Sequence, residues 1–335
     1  MRHLRKEDGS RHGRIPTEAG PPSGTGISQP AHSPVLAART IELLQPERGG
    51  LFVDVTVGLG GHAEALLTTS PRIRLLGLDR DAETLEFAAN RLKPFKDRIE
   101  LVHADYRNLP SVLAERGRPE VAGILADLGV SSWQLDSAGR GFSFAGEGPL
   151  DMRMDRSRGI TAAELVERAP EQELARILFE YGEERLSRRI ARGIVWARQK
   201  APIRTTRELA AVIARSAGGR RGRIHPATRS FQALRIAVND ELTAVGALVG
   251  ASVDALAVGG RLVVLTYHSL EDRSVKQSMR SFANRCSCSK SLPLCECGHP
   301  NLLRLLTRSV VRPDRDETRS NPRSRSAKLR AAERV

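Results

Sequence analysis

Residues 51–62 read Leu51-Phe-Val-Asp54-Val-Thr-Val-Gly58-Leu-Gly60-Gly61-His62, and this stretch decides the fold. Its first half (51–56, LFVDVT) has the continuous apolar character of a strand buried on both faces. Three glycines then let the backbone turn sharply and approach a ligand. A helix predicted from about 62 to 67 aims its unpaired N–H groups at the same place. Working outward, a second strand is expected at 73–78, ending at Asp79. Asp81 caps a helix running to about 93. A third strand follows at 99–103, a short helix near 111–116, and a fourth strand at 121–127. Repeated βα units of this kind predict an α/β, Rossmann-like, mostly parallel, doubly wound sheet with right-handed crossovers.

The rhythm breaks after about residue 136. Helical stretches recur at 161–167, 171–181, 185–199 and 206–216 with no strong strand between them, so an inserted all-helical subdomain is expected over 137–227. The βα pattern resumes with a helix from 228 to about 256 and a fifth strand at 261–267 (RLVVLTY). The expected organisation is a disordered N-terminal arm (1–30), a core in two parts (31–136 and 228–305) around the insertion, and a mobile basic C-terminal tail (306–335).

The 335 residues carry 40% hydrophobic side chains, enough for a sizeable core, and no apolar run reaches the ~18 residues of a membrane helix. The Arg-, Gly-, Pro- and Ser-rich N-terminus lacks the apolar segment of a secretory signal, so a cytoplasmic protein without membrane partners is expected. The net charge of +14 points to a polyanionic partner. Basic residues cluster at 185–192, at 220–229 and from Arg304 onward. All four cysteines (Cys286, Cys288, Cys295, Cys297) sit in one loop, unlike a dispersed disulfide framework. Four thiolates could enclose zinc, but C-x-C is less usual than C-x-x-C. Free or redox-labile thiols, with no metal, are the adopted reading.

Asp79 lies 19 residues beyond Gly60, where a carboxylate at the end of a second strand accepts ribose hydroxyls. The turn also satisfies the G-x-G-x-x-A form of a dinucleotide fingerprint, so it is ambiguous alone. Asp105-Tyr106 and Asp127 bring polar groups to the next strand ends, which suits a compact adenosyl ligand with a charged tail.

These residues resemble the RsmH (MraW) family of ribosomal RNA small-subunit methyltransferases. The matching segments include Asp54-Val-Thr-Val-Gly-Leu-Gly-Gly-His62, Asp127-Leu-Gly-Val-Ser-Ser132, Arg140-Gly-Phe-Ser-Phe144, Gly148-Pro-Leu-Asp-Met-Arg-Met-Asp155, Phe231-Gln-Ala-Leu-Arg-Ile236 and His268-Ser-Leu-Glu-Asp272. With the others they span about residues 31–330. The resemblance implies a class I methyltransferase using S-adenosyl-L-methionine to methylate the exocyclic N4 of a cytidine in 16S ribosomal RNA, near the decoding centre of the small subunit. It implies that Gly60, Gly61 and His62 line the methionine end, Asp79 holds the ribose, Tyr106 contacts the adenosyl group, and Asp127 and Gln134 complete the pocket. Trp133 stands where the family carries a smaller residue, often proline.

Cytosine's exocyclic amine is a poor nucleophile because its lone pair delocalises into the ring. An acceptor at its N–H localises that pair and stabilises developing charge. Asp127 and the hydroxyls of Ser131 and Ser132 are the candidates, with cofactor contact or helix capping as their alternatives. His268 is either a base at the site or part of a helix start, where Ser269 and Asp272 have capping-box spacing. Asp151, Arg153 and Asp155 either face substrate or form a salt-bridged loop. An NAD-dependent oxidoreductase and a non-catalytic ribosome-assembly factor are the rival functions.

Overall fold

A computed structural model describes residues 34–219, 225–284 and 300–335. The N-terminal arm, the basic residues 220–224 and the cysteine loop 286–297 lie outside the described residues.

Seven strands form one sheet: β1 (Gly50–Asp54), β2 (Ile73–Asp79), β3 (Ile99–His103), β4 (Val121–Asp127), β5 (Leu256–Thr266), β6 (Leu303–Leu305) and β7 (Lys328–Arg334). Their order is β3-β2-β1-β4-β5-β7-β6. The five strands from β3 through β5 pair in parallel, as their buried apolar runs predict. The chain order reverses between β1 and β4, which opens a crevice beyond the carboxyl ends of these strands.

The far edge departs from expectation. The C-terminal segment, expected to be a mobile tail, supplies β7, which runs antiparallel between β5 and β6 with Val263 opposite Ala331 and Leu305 opposite Ala332. Leu329, Ala331 and Ala332 are fully buried there. The segment's many charges lie at its ends and on alternate residues, leaving a short apolar face to enter the sheet.

One sheet face packs against the helices Leu109–Ala114, Glu241–Ala255 and Ser269–Ala283, where Leu248, Val249 and Val275 meet Ile124 and Val264. The other packs against Ala37–Leu44, Gly61–Thr69 and Ala82–Arg91, with Leu44, Leu66 and Ala88 against Phe52 and Leu75.

The insertion has a core of its own, running from Phe142 to Leu234 and built on the helices Ala162–Arg168, Glu171–Glu180, Ser187–Arg198 and Thr206–Ala217. Capping boxes at Thr161/Glu164 and Thr205/Glu208 start the first and last of these. The single helix expected from 228 to 256 is two, Ala227–Asn239 and Glu241–Ala255, which meet at 56° where Asp240 adopts a left-handed conformation. The first buries Phe231 and Leu234 in the insertion's core, so the insertion extends to this bend and not to 227. Among the described residues no single helix is long and apolar enough to cross a membrane.

Candidate active site

A cleft of about 540 Å³ lies over the carboxyl ends of the strands and reaches the helix Ala227–Asn239. Gly61, His62, Asp79, Tyr106, Asp127, Ser131 and Gln134, all expected at the site, line it together with Gly58; Gly60, expected with them, does not.

The glycine turn is held from below. Asp79 Oδ2 accepts the Gly58 N–H at 2.7 Å and its Oδ1 accepts the Asp81 N–H at 2.9 Å. Burial nevertheless raises the Asp79 carboxyl to about 6, against these two bonds. Gly58 takes a φ of +53°, and a Cβ there would meet nothing nearer than the Thr56 carbonyl oxygen at 3.9 Å, so the turn leaves open space above it. Gly60 (φ +81°) starts the helix Gly61–Thr69; a Cβ there would press on Leu92 at 3.1 Å. Gly60 therefore shapes the turn from behind, and Gly61 and His62 face the cleft.

Two acids flank His62. Its Nε2 lies 3.5 Å from Asp127 Oδ2, and both ring nitrogens are buried without a hydrogen-bond partner in the protein. Asp54, at the end of β1, is 1% exposed; its Oδ1 accepts the Thr56 N–H at 3.1 Å while Oδ2 has no partner. Desolvation raises its carboxyl to about 7, with His62 opposing the rise. The Asp54 side chain was not singled out in the sequence, because an acid ending an apolar strand looks like its neighbours there. Only the unpaired buried oxygen distinguishes it.

Asp127 is fixed at three points. Its backbone N–H donates to the Thr56 hydroxyl at 2.6 Å, Oδ1 accepts the Tyr267 hydroxyl at 2.8 Å, and Oδ2 faces His62. Tyr267, also missed in the sequence, directly follows β5. Burial, and then the charge of Asp127, push its hydroxyl well above the usual range, so it stays a neutral donor.

After Asp127 the chain forms the short helix Ser132–Asp136. Ser131 caps it: its hydroxyl accepts the Gln134 N–H at 3.2 Å, and Gln134 Oε1 accepts the Ser131 N–H at 2.8 Å. Gln134 Nε2 donates to Asp81 Oδ2 at 2.6 Å. The same oxygen pairs with buried Arg140 at 2.7 Å, whose guanidinium lies over the Trp133 ring at 5.2 Å. Trp133 packs on Phe87 with ring centroids 5.3 Å apart, so the larger residue leaves Gln134 in place.

Other expectations are redistributed. Asp105 is turned away: Arg107 bonds both of its oxygens, and with Arg80 this outweighs burial and lowers its carboxyl. Tyr106 lines the cleft from the third strand's end. The helix Ser269–Ala283 is capped by His268, whose Nδ1 accepts the Glu271 N–H at 3.4 Å, rather than by a Ser269/Asp272 box. Asp272 instead pairs with Arg330 at 2.7 Å, tying the helix to β7. Asp151 and Arg153 form a bidentate pair and Asp155 bonds Ser157 and Arg158, so this stretch is a salt-bridged loop.

Comparison with known proteins gives a concordant set of likenesses. The model of the MraW methylase family matches residues 29–335. A protein of Geotalea uraniireducens (strain Rf4) called ribosomal RNA small subunit methyltransferase H is 50% identical over 91% of this chain and 98% of its own. One of the same name from Thermobifida fusca (strain YX) is 50% identical over 94% of this chain and 96% of its own. The solved structure of an rRNA methylase from Streptococcus thermophilus overlaps 93% of this chain and 99% of that one, with 13% identity and a TM-score of 0.38.

Proposed function

The chain belongs to the MraW methylase family, and from that premise we propose that it transfers the methyl group of S-adenosyl-L-methionine to the exocyclic N4 of one cytidine in 16S ribosomal RNA of the small subunit. The observation that carries the cofactor part of this reading is the pair of unsatisfied buried groups beside an open glycine turn: Asp54 Oδ2 and the His62 ring nitrogens. Buried polar groups in a folded protein are bonded with few exceptions; His62 lines the cleft and Asp54 adjoins its lining residue Val55, so a polar ligand there would supply their missing partners.

The donor set fits a sulfonium nucleoside with an amino-acid tail. Asp54 would take the ammonium, the first N–H groups of the helix Gly61–Thr69 the carboxylate, and Asp79 the ribose hydroxyls. Tyr106 offers an apolar wall to the adenosyl group. Asp79 and Asp127 line the cleft and bias it toward a ligand with one net positive charge. Such a cofactor supplies an electrophilic methyl carbon on sulfur.

The protein's part is positioning and charge. Asp127 presents a fixed carboxylate to the cleft because Tyr267 occupies one oxygen and the Thr56 hydroxyl holds its backbone. Oδ2 is the oxygen that would accept an N–H of the target amine, localising its lone pair. Ser131 and Gln134 act on this loop through the cap that shapes it, since both side chains are engaged there. A target base must leave its stack to reach the cleft, at a cost of a few kcal/mol.

Purified protein incubated with methyl-labelled cofactor and small subunits from cells lacking the gene tests the reading. Nucleoside mass spectrometry should find the label on one cytidine as its N4-methyl derivative. Cofactor binding without label in the RNA would instead favour a non-catalytic assembly factor.

A further inference from the structure

Four ionisable side chains meet where the insertion joins the sheet. Arg235, on the insertion's last helix, makes a bidentate pair with Glu241 at the start of the next: Nε to Oε1 and Nη2 to Oε2, both 2.9 Å. Glu271, 1% exposed, accepts the Tyr267 N–H at 3.0 Å, and His268 Nε2 lies 3.1 Å from its Oε1. Arg235, Glu241 and Glu271 all line the cleft that Asp127 lines.

Burying four such groups is costly, and the two helices could pack with apolar side chains instead. A divalent cation does not explain them. Glu241, His268 and Glu271 offer ligand atoms within 4.8 Å of one another, but Arg235 already holds both oxygens of Glu241. The geometry leaves one group unspent. A guanidinium has five N–H donors in a rigid fork, and Arg235 uses only Nε and Nη2 among the described residues. Arg235 lines the cleft, and among the described residues its Nη1 amino group has no acceptor. Burial works against its charge, and the neighbouring Glu241 and Glu271 outweigh that, so it remains a cation.

We propose that Arg235 is the specificity-determining residue for the acceptor base, with Nη1 donating to the N3–O2 edge of the extruded cytosine. This rests on the cytidine reading above. Cytosine presents two adjacent acceptors on that edge. Uracil presents an N3–H, which would oppose the guanidinium donor, so the same contact that orients cytosine rejects uracil. Glu241 is a positioning residue: it fixes the plane of the fork and touches no base. Glu271 backs Arg235 and couples the pocket to Tyr267, whose hydroxyl holds Asp127.

The test is Arg235→Lys, which keeps a cation but loses the fork, assayed with small subunits and labelled cofactor. Transfer measured as kcat/KM should fall about 100-fold, the upper scale of a hydrogen bond from a charged donor, while the Kd for S-adenosylhomocysteine stays within about twofold, as for an independent site. Transfer within twofold of the parent, or an equal loss in cofactor affinity, overturns the proposal. If Arg235→Lys does not fold, Glu241→Gln carries the same test. It keeps volume and the guanidinium charge, and an intermediate, about tenfold loss in kcat/KM at unchanged cofactor affinity is expected. Failure of the cytidine reading itself is separable, because the parent enzyme would then label no cytidine.

Discussion

The Tyr267 hydroxyl donates to Asp127 Oδ1 at 2.8 Å, joining the ends of β4 and β5 across the cleft. This bond takes up one carboxylate oxygen and leaves the other facing His62 and the cleft. Because Tyr267 is held neutral well past the working pH range, the bond does not switch with pH.

Asp127→Asn replaces the free acceptor by a group that can donate. Removal of one preorganised charge-stabilising group costs about 10²–10³ in kcat, and that loss is expected here. Tyr267→Phe should cost less, about tenfold, because the carboxylate remains and loses only its orientation. Single-turnover kinetics at saturating cofactor separates the two from binding effects; unchanged turnover in Asp127→Asn assigns Asp127 to cofactor contact alone.

Asp54 is expected to make cofactor binding depend on pH. Its carboxyl is raised to about 7 by burial, and that of Asp79 to about 6 for the same reason. An acid whose pKa rises on folding stabilises the fold most below its ordinary value near 3.8, and that contribution is lost as pH climbs through about 7. The free protein should therefore lose stability across this window on account of Asp54. An ammonium group bound there favours the anion, so affinity for S-adenosylhomocysteine should tighten as pH rises toward about 7 and level off above it, with proton release on binding below that value. Calorimetry in buffers of different ionisation enthalpy reads the proton directly. Asp54→Asn should bind more weakly and flatten the profile; an unaltered profile in that variant removes Asp54 from the linkage.

What the sequence disclosed follows from where each signal resides. The strands β1 to β4 were legible because burial on both faces demands unbroken apolar runs, and Asp79 and Asp127 were legible because strand ends in such sheets face the crevice. β7 was not, because it carries Lys328, Arg330, Glu333 and Arg334 around only Leu329 and Ala331 on one face and Ala332 on the other. Its place is set by pairing with β5, a relation about 65 residues distant that no local pattern announces. The cap of the helix Ser269–Ala283 was misplaced by one residue: His268 accepts the Glu271 N–H, where Ser269 was expected to accept that of Asp272. Asp54 and Arg235 were plain in the sequence as residue types. Their unused oxygen and amino group are properties of three-dimensional surroundings.

The C-terminal strand yields a prediction opposite to that for a mobile tail. Truncation after Ser326 removes β7 from between β5 and β6 and opens both core layers, the one that Leu329 and Ala331 join and the one that Ala332 joins. Burial of Leu329 alone is worth about 1.5–3 kcal/mol. The cut also leaves Arg261 without Glu333, and Asp272 without Arg330 and Lys328. The truncated chain should lose its cooperative thermal transition, and residues 328–334 of the full chain should resist limited proteolysis. Rapid trimming of the native protein to about residue 327 without loss of Tm contradicts this strand's place in the sheet.

A basic stripe on the insertion, away from the cleft, is expected to make a second contact with RNA. Arg185, Arg189, Arg192, Trp196 and Lys200 recur at helical spacing along one exposed stripe beginning just before Ser187–Arg198, with Arg188 beside it. Arg185, Arg188 and Arg189 have no ion-pair partner among the described residues, and Arg192 has only a long one, to Glu171 at 3.6 Å. Trp196 is 59% exposed, with Lys200 Nζ 3.5 Å from its ring centroid. A cationic row with an exposed aromatic is the arrangement that neutralises phosphates and stacks a base. If each arginine meets one phosphate of a single strand, Arg188→Glu with Arg189→Glu lowers the slope of log affinity against log salt by about 1.4, from about 0.7 per contact. Trp196→Ala should weaken RNA binding by about 1–3 kcal/mol with little change in that slope, because stacking is not screened as charge is. Cofactor affinity should stay as in the parent in both cases, since the stripe does not line the cleft. Filter binding of small-subunit RNA between 50 and 200 mM salt, roughly the range over which such slopes are read, measures both effects. A double variant with the parent's slope makes this stripe a solvated face and leaves the cleft mouth to hold the RNA.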